Sequence, residues 1–289
     1  MPRPSWFDEE LYPFASHFVD VAGATVHYLD EGDGPVLLML HGNPTWSFLY
    51  RHLVAELADR FRCIALDYPG FGLSTAPAGY RHSIAEHAAV VEGFLEALDL
   101  HDVTVMVQDW GGPIGFATAI RHRERFRGFV VGNTFGWVAT GDKTMRRFSK
   151  VMGGAFGGFL VKRLNFFVRV GIPAGIKRKK LTKAEKAMYR GPFPTAASRV
   201  PLHVMPAEIL EAEELLTEVE RGLHTVADKP ALIVWGDKDV AFKEPARRRW
   251  EATFPNHHTV ILPGAGHYIQ EDSPTEIAAA VRDWTAAGA

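Results

Sequence analysis

The sequence lacks most of the features that mark secreted, membrane-spanning or nucleic-acid-binding proteins. Its 289 residues include one cysteine, Cys63, so no intramolecular disulfide can form and folding does not require an oxidising compartment. No apolar run approaches the roughly 18 residues of a transmembrane helix, and the N-terminus has no apolar signal segment. The 32 basic and 34 acidic residues leave a net charge of −2, which does not attract nucleic acid. We expect a soluble, cytoplasmic protein with no nucleic-acid or membrane partner.

Signatures of bound metals and nucleotides are also missing. No group of histidines and cysteines has the spacing of metal ligands. The segment Gly70-Phe71-Gly72 lacks the third glycine and the following helix of a dinucleotide-binding fingerprint. Two basic runs, Lys177–Lys180 and Arg247–Arg249, could attract an anionic partner, but the balanced net charge favours solvated faces. The sequence therefore predicts neither a metal nor a cofactor.

Short apolar runs alternate with amphipathic stretches of helix length. The predicted strands are Val36–Leu40, Cys63–Asp67, Val103–Val107, Gly128–Val131, Ala231–Trp235 and His258–Leu262. The predicted helices are Trp46–Asp59, Ile84–Leu98, Gly112–His122, Pro245–Ala252 and Pro274–Ala286. Ahead of them, Ser16–Asp20 and Thr25–Tyr28 are expected to form an antiparallel hairpin. This alternation is typical of an α/β fold with a mostly parallel sheet that is flanked by helices.

The alternation stops after the sixth strand. Between residues 135 and 225 strand-like runs disappear, and we predict a helical cap, because this segment is too long for an ordinary connection. The predicted domains are a first core part at 1–134, the cap at 135–225 and a second core part at 226–289. The glycine-rich piece Gly153–Gly158 is interpreted as close helix packing rather than as a flexible hinge.

Polar residues follow four of the predicted strands. They are HGNP (His41–Pro44), QDWGG (Gln108–Gly112), GDKD (Gly236–Asp239) and GAGH (Gly264–His267). In an open parallel sheet, ligands bind beyond the carboxyl ends of the strands. We therefore expect the functional site where these four segments meet.

The segment from Val107 to Gly111 has the pattern of a nucleophile elbow, usually written G-x-S-x-G. Asp109 stands at the position of the serine, and Val107 departs from the first glycine. An aspartate here can also simply cap the following helix.

Two further strand ends argue for a catalytic interpretation. Asp239 and His267 follow later strands, so a nucleophile, an acid and a histidine occur in the order of an α/β-hydrolase. Asp237 is the alternative acid, but its spacing from Gly236 fits the pattern less well than that of Asp239.

A carboxylate nucleophile indicates which bond is attacked. Asp109 can displace a leaving group from an sp3 carbon and form an alkyl ester that water then cleaves. His267 would activate that water, with Asp239 holding its tautomer. The backbone N–H groups of Trp110 and of the Gly42-Asn43 loop are candidates for an oxyanion hole.

Two donor side chains indicate the leaving group. Asn43 offers an amide N–H and Trp110 an indole N–H, which suit an anion such as halide. An epoxide would instead need acidic O–H donors, and the predicted cap contains one tyrosine, Tyr189. The alternatives are that Asn43 is a turn-former before Pro44 and that Trp110 is a core residue.

Four motifs resemble those of the haloalkane dehalogenases, a family of α/β-hydrolases. They are HGNPTWSFLYR (His41–Arg51), DYPGFGLS (Asp67–Ser74), VQDWGGPIG (Val107–Gly115) and GHYIQEDSP (Gly266–Pro274). The similarity extends from about Tyr12 to Val281 and includes NFFV, YRGPF and MPAEI in the cap. HGNP together with QDWGG is specific, whereas either alone also occurs in epoxide hydrolases.

The resemblance implies roles for particular residues. Asp109 would be the nucleophile, His267 the base, and Asn43 and Trp110 the halide donors. One subfamily places its acid just after the sixth strand, where this chain has Asn133, so Asp239 is the expected acid. Phe167 resembles a residue that lines the substrate pocket of the family, although plain core packing is an equal alternative.

The set of Asp, His, Asp, Asn and Trp resembles the third subfamily. Members of that group self-associate, so the resemblance allows a homo-oligomer, although nothing in the composition indicates one. The expected reaction converts a halogenated alkane and water to alcohol, halide and a proton. The alternatives are an epoxide hydrolase and a catalytically weak binding protein of the same fold.

Overall fold

The computed structural model describes residues 3–139 and 141–288, and its centre is a single sheet. The strands are β1 His17–Val21, β2 Ala24–Glu31, β3 Val36–Leu40, β4 Arg62–Leu66, β5 Val103–Asp109, β6 Phe126–Thr134, β7 Ala231–Gly236 and β8 His257–Leu262. They lie in the order β1-β2-β4-β3-β5-β6-β7-β8. The β1–β2 and β2–β4 pairs are antiparallel and the other pairs are parallel. This is the predicted α/β-hydrolase fold.

The central strands form because their apolar runs are covered on both faces. All six residues of β7 are buried, as are the first six of β5. The predicted hairpin is present as β1 and β2, with Phe18 opposite His27. The strand predicted at Gly128–Val131 is longer in the structure, since β6 extends from Phe126 to Thr134.

Two groups of helices flank the sheet. The helices are α1 Arg51–Leu57, α2 Ile84–Ala97, α3 Gly111–Arg121, α4 Lys143–Met152, α5 Ala155–Leu164, α6 Ile172–Gly175, α7 Lys183–Arg190, α8 Val200–Glu211, α9 Glu213–Gly222, α10 Glu244–Thr253, α11 Ile269–Asp272 and α12 Pro274–Ala286. α1 packs on α12, and α2 on α3. Phe116 of α3 stacks on Trp250 of α10, with ring centroids 4.7 Å apart. The helix predicted from Trp46 begins as a 3-10 turn, Ser47–Tyr50, before α1.

Helices α4 to α9 lie between β6 and β7, where the sequence predicts the cap. A π-helical turn, Phe167–Gly171, precedes α6. Gly158 is buried against α8, where an added Cβ would lie 2.9 Å from His203 Nε2, so this part of the glycine-rich piece serves packing. The proposed domain limits at 134 and 225 stay a prediction. None of the helices in residues 3–139 and 141–288 is long and apolar enough to span a membrane.

Candidate active site

The predicted elbow is a sharp turn at the carboxyl end of β5. Asp109 has φ of +50°, in the left-handed region that side-chain-bearing residues rarely occupy. The turn is possible because two glycines follow it: a Cβ on Gly111 would collide with the Leu40 carbonyl, and one on Gly112 with the Thr134 hydroxyl. The DWGG sequence thus lets the start of α3 pack directly under Asp109.

The departure from the generic elbow pattern at Val107 also has a steric explanation. Gly115 lies on the first turns of α3 opposite Val107, and a Cβ there would be 2.8 Å from Val107 Cγ1. The elbow therefore has room for the Val107 side chain because Gly115, which faces it from α3, has no side chain.

Two backbone donors bind the Asp109 carboxylate. The N–H of Asn43 donates to Asp109 Oδ1 at 2.8 Å, and the N–H of Trp110 also hydrogen-bonds this carboxylate. Gly42 is required beside them, because its Cβ would overlap the carboxylate of Asp109. The structure therefore brings together the groups predicted for the oxyanion hole.

The other carboxylate oxygen faces a histidine. Asp109 Oδ2 is 3.6 Å from His267 Nε2, and His267 Nδ1 is 3.0 Å from Asp239 Oδ2. Asp239 Oδ1 accepts a hydrogen bond from the N–H of Ala241 at 2.7 Å. In the tautomer whose Nδ1–H donates to Asp239, the lone pair of His267 Nε2 is on the side of Asp109.

Burial and neighbouring charges shift the pKa values of this group. Burial raises the pKa of Asp109 above its ordinary value, against the opposing effects of His267 and of the N–H groups of Trp110 and Asn43. For His267, burial lowers the pKa, but the charge and hydrogen bond of Asp239 and the charge of Asp109 outweigh it and leave the pKa raised. Asp109 is therefore a desolvated carboxylate, the state in which it is most reactive.

The alternative acid lies elsewhere. Asp237 is exposed and accepts a hydrogen bond from the N–H of Gly264 at 2.6 Å. Its other carboxylate oxygen is 3.4 Å from Lys238 Nζ. The structure thus places Asp239, and not Asp237, beside His267.

All the predicted site residues except Asp239 line a mostly apolar cavity of about 370 Å³. Asn43, Asp109, Trp110 and His267 form its polar end. The apolar walls come mainly from the cap and from the loop after β7, and include Met145, Phe148, Phe166, Phe167, Ile209, Val240 and Phe242. Phe167, which the resemblance suggested as a pocket residue, is therefore on the wall, with 9% of its surface exposed.

The two predicted halide donors differ in their local contacts. The Trp110 indole is buried against Phe135, with ring centroids 5.0 Å apart, and its N–H finds no acceptor among the residues that the structure describes. Asn43 Nδ2 donates one hydrogen bond, to the Leu202 carbonyl at 3.3 Å, which leaves its second N–H free. The cavity therefore has two available donors beside Asp109.

Sequence reasoning missed two side chains of the site. It considered Asn133 only as a missing acid, yet its Nδ2 donates to Asp239 Oδ2 at 2.8 Å, and its Oδ1 accepts from the N–H of Gly236 at 2.9 Å. Gln108 Nε2 lies 3.1 Å from His267 Nε2. The available signal was that both are polar residues within buried strands, where an unpaired polar group is costly.

A second charged group lies where the cap meets the core, and we call it the clamp cluster. It consists of Arg51, Lys179, Glu185, Tyr189 and Glu271. Arg51 donates to both oxygens of Glu271, at 2.5 and 3.0 Å, and to Glu185 at 2.9 Å. Lys179 Nζ is 2.8 Å from each of the two glutamates, and the Tyr189 hydroxyl donates to Glu271 at 2.5 Å.

The clamp cluster also contains the one candidate metal site among the described residues. His52 joins Glu185 and Glu271 there, and its possible ligand atom lies within 4.8 Å of theirs. Arg51 and Lys179 already neutralise the two carboxylates. The donor set therefore does not suit a cation.

Comparison with known proteins supports the fold and the family. Residues 35–274 match the family model of the alpha/beta hydrolase fold. The chain is 47% identical to haloalkane dehalogenase 2 of Mycobacterium tuberculosis over 276 residues, which cover 95% of this chain and 96% of the relative. It is also 31% identical to a cis-3-alkyl-4-alkyloxetan-2-one decarboxylase of Shewanella oneidensis, covering 93% of this chain and 87% of that one.

A solved structure agrees with this assignment. The haloalkane dehalogenase DbeA from Bradyrhizobium elkani superimposes with a TM-score of 0.85 at 27% identity, covering 95% of this chain and 98% of that chain. The matched region includes the cap as well as the core. On its sequence, its fold and the arrangement of its strand-end residues, the chain belongs to the haloalkane dehalogenase family of α/β-hydrolases.

Proposed function

We propose that the protein hydrolyses halogenated alkanes to alcohol, halide and a proton, with Asp109 as the nucleophile. The observation that carries this proposal is the environment of the Asp109 carboxylate. One of its oxygens accepts the Asn43 N–H at 2.8 Å, while the other faces an apolar cavity and lies 3.6 Å from His267. A desolvated carboxylate with one free oxygen is suited to attack an sp3 carbon.

In the proposed first step, Asp109 Oδ2 attacks the carbon that bears the halogen. The new C–O bond forms as the C–halogen bond breaks, and the halide leaves with the bonding electrons. Asn43 Nδ2 and Trp110 Nε1 stabilise the developing negative charge by donating hydrogen bonds to it. The apolar walls exclude water, which strengthens these interactions and protects the ester intermediate.

In the proposed second step, water cleaves the alkyl ester of Asp109. His267 Nε2 takes a proton from the water as its oxygen attacks the ester carbonyl carbon. The N–H groups of Asn43 and Trp110 stabilise the oxyanion, and Asp239 stabilises the imidazolium. Collapse of the intermediate breaks the bond between the Asp109 carboxyl carbon and the alkyl oxygen, and the alcohol leaves with the proton from His267. Asp109 keeps the oxygen of the water and returns to a carboxylate by releasing the remaining water proton to solvent.

Two observations favour this reaction over epoxide opening. Tyr189, the one tyrosine of the predicted cap, donates its hydroxyl to Glu271 and does not line the cavity. Tyr268 does line it, so the described walls offer one phenol rather than a pair. The set of Asp109, Asp239, His267, Asn43 and Trp110 also supports assignment to the third subfamily.

A halide-release assay on 1-bromobutane tests the proposal. We expect release of bromide together with an equal amount of butanol by the wild-type protein. The Asp109→Asn variant should release none, because a neutral amide cannot displace halide, and its mass must be checked for hydrolysis back to aspartate. Bromide release by a verified Asn variant would contradict the assignment of Asp109.

Matched substrates separate the alternatives. 1,2-Epoxybutane tests the epoxide hydrolase, and a cis-3,4-dialkyloxetan-2-one tests the reaction named for the Shewanella relative. Turnover of either one without bromide release would replace the proposed function. No turnover of any of them would favour the binding protein.

We also propose self-association, on the basis of the third-subfamily assignment. A rise of the sedimentation-equilibrium mass with protein concentration would support it, and a constant mass of 32.1 kDa would contradict it.

A further inference from the structure

The chain is nearly neutral as a whole, but its positive and negative charges are concentrated in different parts of the sequence. From Lys143 to Arg199 the sequence contains 15 lysines and arginines and one acidic residue, Glu185, for a net charge of +14. Because the whole chain carries −2, the remaining residues carry −16. One part of the cap is therefore strongly basic and the rest of the protein is acidic.

The same part of the cap exposes most of the large apolar side chains found at the surface. Eight such side chains are exposed among the described residues, and six of them lie between residues 148 and 170. These six define what we call the cap face: Phe148, Val151, Phe156, Phe159, Leu164 and Val170. Phe156 and Phe159 are exposed to 64% and 58%. Exposed apolar residues concentrated in this way mark an interaction surface.

Helix geometry explains how this face forms. Phe148 and Val151 are three residues apart on α4, and Phe156 and Phe159 are three apart on α5, so each pair shares one side of its helix. Both helices pack on α8 by their other sides. Ser149 Oγ of α4 donates to the Ala207 carbonyl at 3.4 Å.

The contact between α5 and α8 is equally close. His203 Nε2 of α8 lies 3.1 Å from the Gly154 carbonyl at the start of α5. The exposed phenylalanines of α5 therefore lie on the side that points away from α8.

The cations in the segment that carries the cap face are not neutralised. Seven lysines and arginines lie between residues 143 and 170, and none of them forms an ion pair with a residue in the described part of the chain: Lys143, Arg146, Arg147, Lys150, Lys162, Arg163 and Arg169. In the core, by contrast, arginines such as Arg121 and Arg282 pair with carboxylates at 2.6 Å. The segment that carries the cap face thus combines positive charge without ion-pair partners with exposed aromatic rings.

We propose that the cap face docks on an anionic membrane surface. Aromatic and aliphatic side chains beside lysines and arginines are the combination that binds the interface of anionic bilayers. This contact is peripheral. Phe148 belongs to the cap face and also to the cavity wall, so docking would bring the cavity next to a reservoir of apolar molecules, a consequence that rests on the proposed function.

A second copy of the chain fits this face less well. Pairing of two cap faces about a twofold axis would bring together two copies of a segment, residues 143–170, that carries seven cations without ion-pair partners in the described part of the chain. The acidic part of another copy would match the charge but not the apolar side chains, since Val240 and Ile261 are the only large exposed hydrophobic residues among those described outside the cap face. An anionic lipid surface offers both the charge and the apolar layer.

Vesicle flotation tests this proposal independently of halide release. The full-length protein is mixed with vesicles of phosphatidylcholine and phosphatidylglycerol in a three-to-one ratio, or of phosphatidylcholine alone. We expect binding to the anionic vesicles at low salt and about tenfold weaker binding at high salt, because screening weakens exposed charge interactions. The double variant Phe156→Ser/Phe159→Ser should lose binding about tenfold or more.

Ile261→Ser is the matched control, because Ile261 is exposed to 42% but lies on β8, outside the cap face. It should bind as the wild type does. Bromoalkane turnover of the double variant should be unchanged, since Phe156 and Phe159 do not line the cavity, and this verifies its fold.

Three outcomes would overturn the proposal. They are the absence of flotation with anionic vesicles, equal flotation with both lipid compositions, and full binding by the double variant. Sedimentation equilibrium without lipid adds information to the first of these outcomes. If the wild type does not bind vesicles and the double variant converts an oligomer to a monomer, the cap face is a contact between copies.

Discussion

The protein contains two buried groups of charged residues, and one carboxylate in each group has its pKa shifted in the opposite direction from the other. The two groups share one short segment of the chain. His267 belongs to the catalytic group and Glu271, four residues later, to the clamp cluster. Burial raises the pKa of Asp109, and its partners do not fully compensate. Burial also acts on Glu271, but the charges and hydrogen bonds of Arg51 and Lys179 outweigh it and lower the pKa.

The difference lies in how many partners each carboxylate has. Glu271 accepts hydrogen bonds on both oxygens from Arg51 and further ones from Lys179 and Tyr189. Asp109 has backbone donors on one side and a histidine at 3.6 Å on the other. A saturated carboxylate holds two regions together, whereas one with a free lone pair can act as a nucleophile. Variants of the two groups should therefore fail in different ways.

The largest effect is expected for His267→Phe. Halide displacement needs only the carboxylate, whereas ester hydrolysis needs the base, so multiple turnover should fall by a factor on the order of 10⁴ or more. After exposure to 1-bromobutane, intact mass spectrometry should show a butyl adduct on Asp109. The double variant Asp109→Asn/His267→Phe, as its control, should show none. Continued turnover without an adduct would contradict the two-step reaction.

Asp239→Asn should have the next largest effect. Loss of the charge beside His267 Nδ1 should slow ester hydrolysis by roughly 10²–10⁴, as in other triads, and the ester should again accumulate. Asp237→Asn is the matched control, because it removes the same charge two residues away, at an exposed position. Single-turnover kinetics measure both. If Asp237→Asn slows ester hydrolysis strongly and Asp239→Asn only slightly, Asp237 rather than Asp239 is the acid of the triad.

Glu271→Gln should affect stability rather than chemistry. It removes one carboxylate of the clamp cluster and leaves Arg51 and Lys179 with Glu185 alone, which should cost about 3–5 kcal/mol of unfolding free energy. Glu276→Gln removes a surface partner of Arg178 and should cost less than about 1 kcal/mol. Urea unfolding measures both. Equal losses of unfolding free energy in the two variants, or loss of turnover in the folded Glu271→Gln protein, would contradict a purely structural role for the clamp cluster.

The smallest effect concerns pH. The charge of Asp109 is one of the causes that raise the pKa of His267, and this charge disappears when Asp109 is esterified. The pKa of His267 should therefore be lower in the ester than in the free enzyme. Because His267 must be neutral to act as a base, ester hydrolysis should lose rate as the pH falls through this lower pKa.

Two measurements check this shift. NMR titration of His267 reports the free enzyme, and the pH dependence of single-turnover hydrolysis reports the ester. The 3.6 Å separation of His267 Nε2 and Asp109 Oδ2 implies that the two charges interact. Equal midpoints in the two measurements would contradict this interaction.

The shifted pKa values also predict how the free energy of unfolding changes with pH. The folded-state pKa of His267 is raised, so its contribution to stability is complete below its ordinary pKa and is lost as the pH rises through the raised value. In the clamp cluster the sign is reversed. Burial opposes the shift, but hydrogen bonds from Lys179 and Thr182 lower the pKa of Glu185 from 4.5 to about 2. Its contribution is complete above 4.5 and is lost as the pH falls toward 2.

The sequence by itself determined the order in which the nucleophile, the acid and the histidine follow the strands, and it determined the position of the elbow. Asp109 stands out because it occupies the serine position of the elbow pattern and is followed by Trp110 and two glycines. The apolar runs predict the central strands because burial on both faces demands continuous apolar sequence. These features are local, so they are visible in a few neighbouring residues.

Only the tertiary structure decided which distant residues meet. Arg51 and Glu271 pair across 220 positions, and Asn133 reaches Asp239 across 106. The charge segregation is already present in the composition of residues 143–199, but the total of −2 conceals it, and only helix packing shows which side chains are exposed. No local pattern encodes such contacts, because they depend on how elements far apart in the chain are packed against one another.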